Sequence, residues 1–170
     1  KTQSLFFGGD YNPEQWDETV WEEDIQLMSE LGVNLVSLGV FSWSSIETRD
    51  GVFDFDWLDR ILDKLHAAGV KIDMATGTAS PPAWLAQKHP EMLAVTDTGV
   101  NFSHGGRQHY SPASSAYEKY SLRFLERLLE HVASHPGIVM WHVNNEIGCH
   151  NPYDFGEETA SKFQTWLRGK

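Results

Sequence analysis

The chain has 170 residues, which is enough for one domain with a sizeable core. Its formal net charge of −11 argues against a surface that binds nucleic acid, and no apolar run approaches the roughly 20 residues of a membrane span. The single cysteine, Cys149, rules out an internal disulfide framework and is compatible with a reducing, cytoplasmic location.

Four apolar segments predict β-strands, and a helical pattern follows each of them. Amphipathic periodicity predicts helices that start after Asp17 and Asp56, a long helix over 117–132, and a last helix near Asp154. The predicted strands lie near residues 4–10, 33–40, 70–76 and 138–144. This alternation indicates parallel strands joined by right-handed crossovers, as in a doubly wound sheet or in part of an eight-stranded barrel.

The lengths of the connections favour the barrel over the doubly wound sheet. Residues 41–55 and 91–112 are expected to be long irregular loops, whereas the turns that lead from helix to strand are short and contain glycine. Barrel enzymes carry their chemistry on the loops that follow the strands. A complete barrel takes about 250 residues. The chain is therefore expected to form the first half, (β/α)4, of a TIM (β/α)8 barrel.

The segment 138–146, Ile-Val-Met-Trp-His-Val-Asn-Asn-Glu, carries the main functional signal. Its apolar start predicts a strand that is buried on both faces. It ends in Asn144, Asn145 and Glu146, and polar groups at the end of a buried strand are unfavourable for folding unless they find partners. A helix cap or a solvated turn would explain an isolated Asn-Glu pair equally well, so the rest of the chain must support a functional interpretation.

The four predicted strand ends present aromatic, amide and carboxyl side chains on one face. Arg107 lies in the irregular stretch before the fourth strand. Amides and carboxylates bind hydroxyl groups with direction, and aromatic rings stack on the C–H faces of sugars. These side chains therefore indicate a carbohydrate ligand. They come from residues 10–16, 41–43, 76–84 and 144–146.

Four motifs along essentially the whole chain resemble, in order and spacing, those of glycoside hydrolase family 42 β-galactosidases. They are Gly-Gly-Asp-Tyr-Asn-Pro-Glu-Gln-Trp at 8–16, Ala-Ser-Pro-Pro-Ala-Trp-Leu at 79–85, Gly-Arg-Gln-His-Tyr at 106–110 and Trp-His-Val-Asn-Asn-Glu at 141–146. The resemblance implies a (β/α)8 catalytic domain that hydrolyses terminal non-reducing β-D-galactosides with retention. It also implies that Glu146 is the general acid/base and that Arg107 and Asn145 bind the galactose.

The chain departs from the family pattern in two respects. Many members hold zinc through a cysteine cluster, which the lone Cys149 does not supply, so we expect no metal site and no cofactor. The family's nucleophile is a glutamate on a later strand, beyond Lys170. Residues 1–170 are therefore expected to be the N-terminal half of the catalytic domain and to be inactive alone. The resemblance also implies a homo-oligomer, often a trimer, with no membrane partner.

Two other functions remain open at this point. One is a related retaining glycosidase with another sugar specificity, which a panel of nitrophenyl glycosides would distinguish. The other is a non-catalytic carbohydrate-binding or assembly module, which the missing nucleophile would allow. A continuation of the chain with a glutamate on a later strand would exclude the second.

Overall fold

The computed structural model describes residues 5–106 and 108–170. Its strands are β1 (Gly8–Tyr11), β2 (Leu35–Leu38), β3 (Glu47–Arg49), β4 (Val52–Phe53), β5 (Lys71–Ala75) and β6 (Ile138–His142). The strands β1, β2, β5 and β6 form one parallel sheet in that order, and β3 and β4 form a separate antiparallel hairpin. The prediction of four parallel strands is confirmed.

Within residues 5–106 and 108–170, six α-helices connect and flank the strands. They are α1 (Glu18–Leu31), α2 (Trp43–Ile46), α3 (Asp56–Ala67), α4 (Ala83–Lys88), α5 (Ser115–Val132) and α6 (Glu157–Arg168), with short 3-10 turns at Pro13–Gln15 and Pro90–Met92. The Asp17 carboxylate accepts a hydrogen bond from the Thr19 amide and caps α1, which ends at Gly32 with a left-handed φ of 74°. The Ser114 hydroxyl caps α5 in the same way.

The four strands pair in parallel, and the register between β5 and β6 shifts by one residue after Ile72. Gly9 lies opposite Val36, which in turn lies opposite Ile72, and Ile72 lies opposite Ile138. At the start of β1 only glycine fits, because a Cβ at Gly8 would lie 1.6 Å from the Leu35 carbonyl oxygen. The lack of a side chain at Gly8 therefore allows β1 to approach β2 this closely.

The core lies between one face of the sheet and the helices. Trp43 stacks on Phe124 of α5 with ring centroids 4.9 Å apart. Fully burying an aliphatic or aromatic side chain of this kind stabilises a fold by about 1.5–3 kcal/mol. The fully buried core side chains from the sheet, α3 and α5 are Leu38, Ile72, Met74, Leu58, Ile61, Leu62, Leu65, Phe124 and Leu128.

The prediction that residues 41–55 form an irregular loop is wrong. This segment contains α2 and the β3–β4 hairpin. A fully buried carboxylate, that of Glu47, organises it: its oxygens accept hydrogen bonds from the Trp43 indole, the Gly51 amide and the Arg123 guanidinium. Because Arg123 lies on α5, far along the chain, local sequence gives no sign of this ordering.

The prediction that the fourth strand is buried on both faces is also wrong. Val139 and Met140 are 46% and 42% exposed. The strand β6 is an edge of the described sheet, paired only with β5. None of the residues of α6, which follows it, is buried. Within the part of the chain that the structure describes, no helix combines the length and the apolar character needed to cross a membrane.

Candidate active site

The candidate site lies at the carboxyl edge of the sheet. All four strands run in the same direction, so their carboxyl ends share one edge, where barrel enzymes place their functional groups. The strand β6 ends at His142, and the chain then forms a turn that carries Asn144, Asn145 and Glu146. The structure therefore places two of the three predicted site residues together at this edge.

Glu146 adopts a backbone conformation that is unusual for a glutamate. Its φ is +47°, in the left-handed region, and Gln108 is the other non-glycine residue with positive φ among those described, at +53°. Such residues store strain of order 1–3 kcal/mol, and they are concentrated at functional sites. The backbone amide of Cys149 donates to the Glu146 carbonyl oxygen at 2.9 Å and closes the turn.

The Glu146 side chain is paired and partly open to solvent. Its Oε2 lies 2.6 Å from His150 Nε2, and the side chain is 42% exposed. The Glu146 carboxylate is thus neither fully buried nor unpaired, so the cost of burying a polar group without a partner does not arise here. A partly exposed carboxyl group at the edge of the sheet is accessible to both a substrate and water.

The two asparagines before Glu146 are half-buried. The Asn144 side-chain oxygen accepts a hydrogen bond from the Asn145 amide at 2.6 Å, which orders the start of the turn. Asn144 Nδ2 lies 3.5 Å from the Tyr110 hydroxyl, on the segment that contains the third motif. The backbone of Asn145, which directly precedes the candidate acid, is therefore held by the Asn144 side chain.

Gln108 connects the third motif to this turn. Its Nε2 donates to the carbonyl oxygens of Asn145 at 2.5 Å and Glu146 at 2.7 Å. The residue is only 8% exposed, and its own carbonyl oxygen lies 3.5 Å from Asn151 Nδ2. In the sequence Gln108 is only one letter of a motif, so composition and spacing do not single it out. The neighbouring Arg107, predicted to bind galactose, lies outside the described residues.

A cavity of about 170 Å³ lies beside the same turn. Tyr110 and Tyr117 form part of its wall and stack on each other with centroids 3.9 Å apart. Burial raises the pKa of the Tyr117 phenol well above its usual range, so its hydroxyl stays protonated and donates to the Thr78 carbonyl oxygen at 3.0 Å. The other lining residues are Gln108, Pro112, Asn144, Ile147, Gly148 and Asn151.

A second cavity, of about 420 Å³, lies at the end of β1 and includes the exposed ring of Trp16. The Tyr11 hydroxyl in its wall donates to Asp24 at 3.0 Å. Nearby, burial raises the pKa of Glu14, whose two carboxyl oxygens have no hydrogen-bond partner among the described residues. The first motif therefore contributes a polar, aromatic wall, as its composition predicts.

One group of possible metal ligands lies in the turn itself. Donor atoms of Glu146, Cys149 and His150 all lie within 4.8 Å of one another, and the three residues are exposed. The spacing Glu-x-x-Cys-His is visible in the sequence. It was not predicted, because only sites made of several cysteines were considered. Exposed groups of this kind are common without an ion. The expected absence of a metal therefore stays a prediction.

Comparison with known proteins supplies the family. A family model described as β-galactosidase, glycoside hydrolase family 42, matches residues 10–170. The chain is 49% identical over 164 residues to β-galactosidase BbgII of Bifidobacterium bifidum, covering 96% of the chain and 24% of the relative. It is 50% identical over 165 residues to a β-galactosidase of an Arthrobacter species, covering 97% and 24%.

Solved structures agree with this result. A β-galactosidase from Bacillus circulans sp. alkalophilus superposes with a TM-score of 0.92 at 37% identity, covering 98% of this chain and 24% of that one. The fold class is therefore confirmed as part of a TIM-barrel α/β domain. The chain spans about a quarter of the length of the relatives it matches. It belongs to glycoside hydrolase family 42, the β-galactosidase family.

Proposed function

We propose that residues 1–170 are the N-terminal half of the catalytic barrel of a retaining β-galactosidase that cleaves terminal non-reducing β-D-galactosides. The observation that carries this proposal is the Asn145-Glu146 pair at the carboxyl edge of β6, in a chain about 50% identical to proteins named β-galactosidase. Those relatives are about four times longer, and the proposed nucleophile is a glutamate on a later strand of the same barrel.

Glu146 is the proposed general acid/base. Retaining glycosidases use two carboxyl groups about 5–5.5 Å apart, of which one protonates the leaving oxygen and later deprotonates water. Glu146 suits the second task because its side chain is partly exposed at the mouth of the sheet. The imidazole Nε2 of His150 lies 2.6 Å from Glu146 Oε2 and shares a hydrogen bond with this carboxylate, which helps to orient it.

Asn145 and Arg107 are the proposed galactose ligands. An amide beside the acid can hold the sugar 2-hydroxyl, a contact that strengthens in the transition state. Arg107 supplies several fixed donors and does not titrate in the working range. The ordered turn around Asn145 supports its part of the proposal, since a ligand of this kind must be held in place before the sugar binds.

The remaining parts of the proposal concern the whole protein. We propose a cytoplasmic enzyme, which a single cysteine permits, that works without a cofactor on a galactoside and assembles as a homo-oligomer, by family resemblance a trimer. Residues 1–170 alone are proposed to be inactive, because the mechanism needs both carboxyl groups.

The test uses the full polypeptide that the gene encodes and compares it with the variant Glu146→Gln. Turnover of galactosides with poor leaving groups should fall about 10²–10⁴-fold, since general acid catalysis contributes that much. Activated aryl galactosides should lose less in the first step, and added azide should restore the second. The control Glu157→Gln changes an exposed carboxylate in the first turn of α6 and should leave turnover unchanged. Wild-type activity in Glu146→Gln would overturn the assignment, and hydrolysis of glucosides or mannosides in preference to galactosides would overturn the specificity.

A further inference from the structure

We propose that Gln108 is a positioning residue: its buried side-chain amide holds the carbonyl groups of Asn145 and Glu146 and thereby fixes the left-handed turn that aims the Glu146 carboxylate. The inference deepens the proposed function and rests on it for the identity of the acid. The hydrogen bonds themselves are independent of that function.

The orientation of the Gln108 amide follows from its partners. Carbonyl oxygens only accept hydrogen bonds, so the NH2 group, and not the oxygen, must face Asn145 and Glu146. That group carries two hydrogens, so it can donate one to each carbonyl group. The distances from Nε2 to the carbonyl oxygens of Asn145 and Glu146 are 2.5 and 2.7 Å. One side chain therefore satisfies two consecutive carbonyl groups, and this is possible only while the backbone bends to point both toward the same side.

This bend lies at Glu146, whose backbone conformation is strained. A glutamate at φ +47° is held there by its surroundings, because an L-residue with a Cβ disfavours this conformation. Gln108 is itself at φ +53°, and its carbonyl oxygen faces Asn151 Nδ2 at the far end of the turn. The contacts of Gln108 thus reach both ends of residues 145–151 from a site that is 8% exposed.

Loss of the Gln108 donors would release the turn without removing any group that touches the sugar in the proposed site. Displacing a catalytic group by about 1 Å can cost about 10²-fold in rate. The effect should fall on the step that needs the acid. A residue with a merely structural role would instead lower the activity toward every substrate by the same factor, through loss of folded protein.

The experiment uses Gln108→Leu, which removes both donors, and Gln108→Glu, which keeps the size but presents only acceptors at neutral pH. In the full polypeptide, kcat/KM for a galactoside with a poor leaving group, such as lactose, should fall about 10- to 100-fold in both variants. The value for a dinitrophenyl galactoside should change little. The control Ser111→Ala removes a buried hydroxyl of the same segment that bonds to Thr159, and it should affect both substrates equally.

Two further measurements make the outcome decisive. In the Glu146→Gln background, Gln108→Leu should cause no additional loss on lactose, because residues that act as one unit are not additive. Hydrogen exchange of the amides at 143–150 should be at least about tenfold faster in Gln108→Leu than in the wild type, and unchanged in Ser111→Ala. Equal losses on both substrates, additive losses in the double variant, or unchanged exchange would each overturn the proposal.

The two proposals can fail separately. A wild-type polypeptide without galactosidase turnover refutes the proposed function, and hydrogen exchange then decides alone whether Gln108 fixes the turn. If neither substitution yields folded protein, Gln108→Asn replaces them: it keeps an amide but is one methylene too short to reach both carbonyl groups. The same split between substrates is then expected, and its absence counts against the proposal.

Discussion

Replacement of Glu146 by glycine should give a more stable protein than replacement by alanine. Both substitutions remove the side chain and its contact with His150, so the comparison isolates the backbone. At φ +47° the alanine pays about 1–2 kcal/mol for the left-handed conformation. Glycine avoids that cost but loses about 0.5–1 kcal/mol through the greater freedom of its unfolded chain. The difference should favour glycine by roughly 0.5–1 kcal/mol.

The matched control is Gln164, an exposed residue inside α6. There the order should reverse, with glycine less stable than alanine by about 1 kcal/mol, because a helix interior offers glycine no conformational advantage. The measurement is urea unfolding of the 170-residue chain followed by tryptophan fluorescence. Heating is an alternative, since 1 kcal/mol shifts the melting temperature of a chain of this size by about 2–4 °C. If the same residue, glycine or alanine, gives the more stable protein at both positions, the backbone of Glu146 is not strained.

Three further outcomes are expected. Alanine at Asn145 or Arg107 should lower kcat/KM for galactosides by weakening the transition state, and saturation kinetics on the full polypeptide would show it; unchanged constants would remove that residue from the site. Elemental analysis should find no stoichiometric zinc bound by Cys149, and a one-to-one zinc content lost in Cys149→Ser would contradict this. Asp154→Ala should destabilise the chain by about 2 kcal/mol at neutral pH, because the Asp154 carboxylate accepts hydrogen bonds from the Val95 amide and the Thr159 hydroxyl. Burial alone would raise the pKa of Asp154, but these hydrogen bonds hold the pKa below its usual value. The difference in free energy of unfolding between wild type and variant should therefore be fully present above about pH 4 and should shrink as the pH falls through the lowered pKa. A difference that does not change with pH would contradict this explanation.

The parallel sheet could be predicted because its signals are local. The strands β2, β5 and β6 are short, mainly apolar runs that follow a turn, as at Gly32 before β2 and Gly69 before β5, and alternation with helices fixes the direction of the strands. The limits of the strands were harder to predict: β1 spans Gly8–Tyr11 and not 4–10, because the extent of a strand depends on its pairing with the neighbouring strand, which here begins at Gly8 and Leu35.

The hairpin within 41–55 could not be predicted, because its order depends on a distant contact. Glu47 is an acidic residue in a polar segment and looks solvated in the sequence. It is in fact fully buried, and Arg123, 76 residues later, neutralises it. Burial of a charge without such a partner would cost several kcal/mol. Because Glu47 and Arg123 are so far apart in the sequence, no periodic pattern indicates that they form a pair.

In the candidate site, residue types were predictable and backbone geometry was not. The pair Asn145-Glu146 and its place after a strand follow from the sequence. The left-handed φ of Glu146 could not be predicted from the sequence, because glutamate rarely adopts this conformation. A glycine or an asparagine at that position would have indicated it. The role proposed for Gln108 depends on that geometry and could only be inferred once the structure placed its amide against two consecutive carbonyl groups.

The position of the proposed acid depends on its turn and not on the sheet alone. The strand β6 ends at His142, four residues before Glu146, so among the described residues its pairing with β5 stops short of the carboxylate. The turn supplies a partner for that carboxylate, because it brings His150 Nε2 to within 2.6 Å, and Gln108 donates to the backbone carbonyl of Glu146. Substitutions in the core should therefore lower stability with little effect on the chemistry of the surviving folded molecules. Substitutions at Gln108 should do the reverse. The comparison of substrates with poor and good leaving groups distinguishes these two kinds of effect. A core variant such as Leu62→Ala should lower the stability and leave the ratio of activities on the two substrates unchanged.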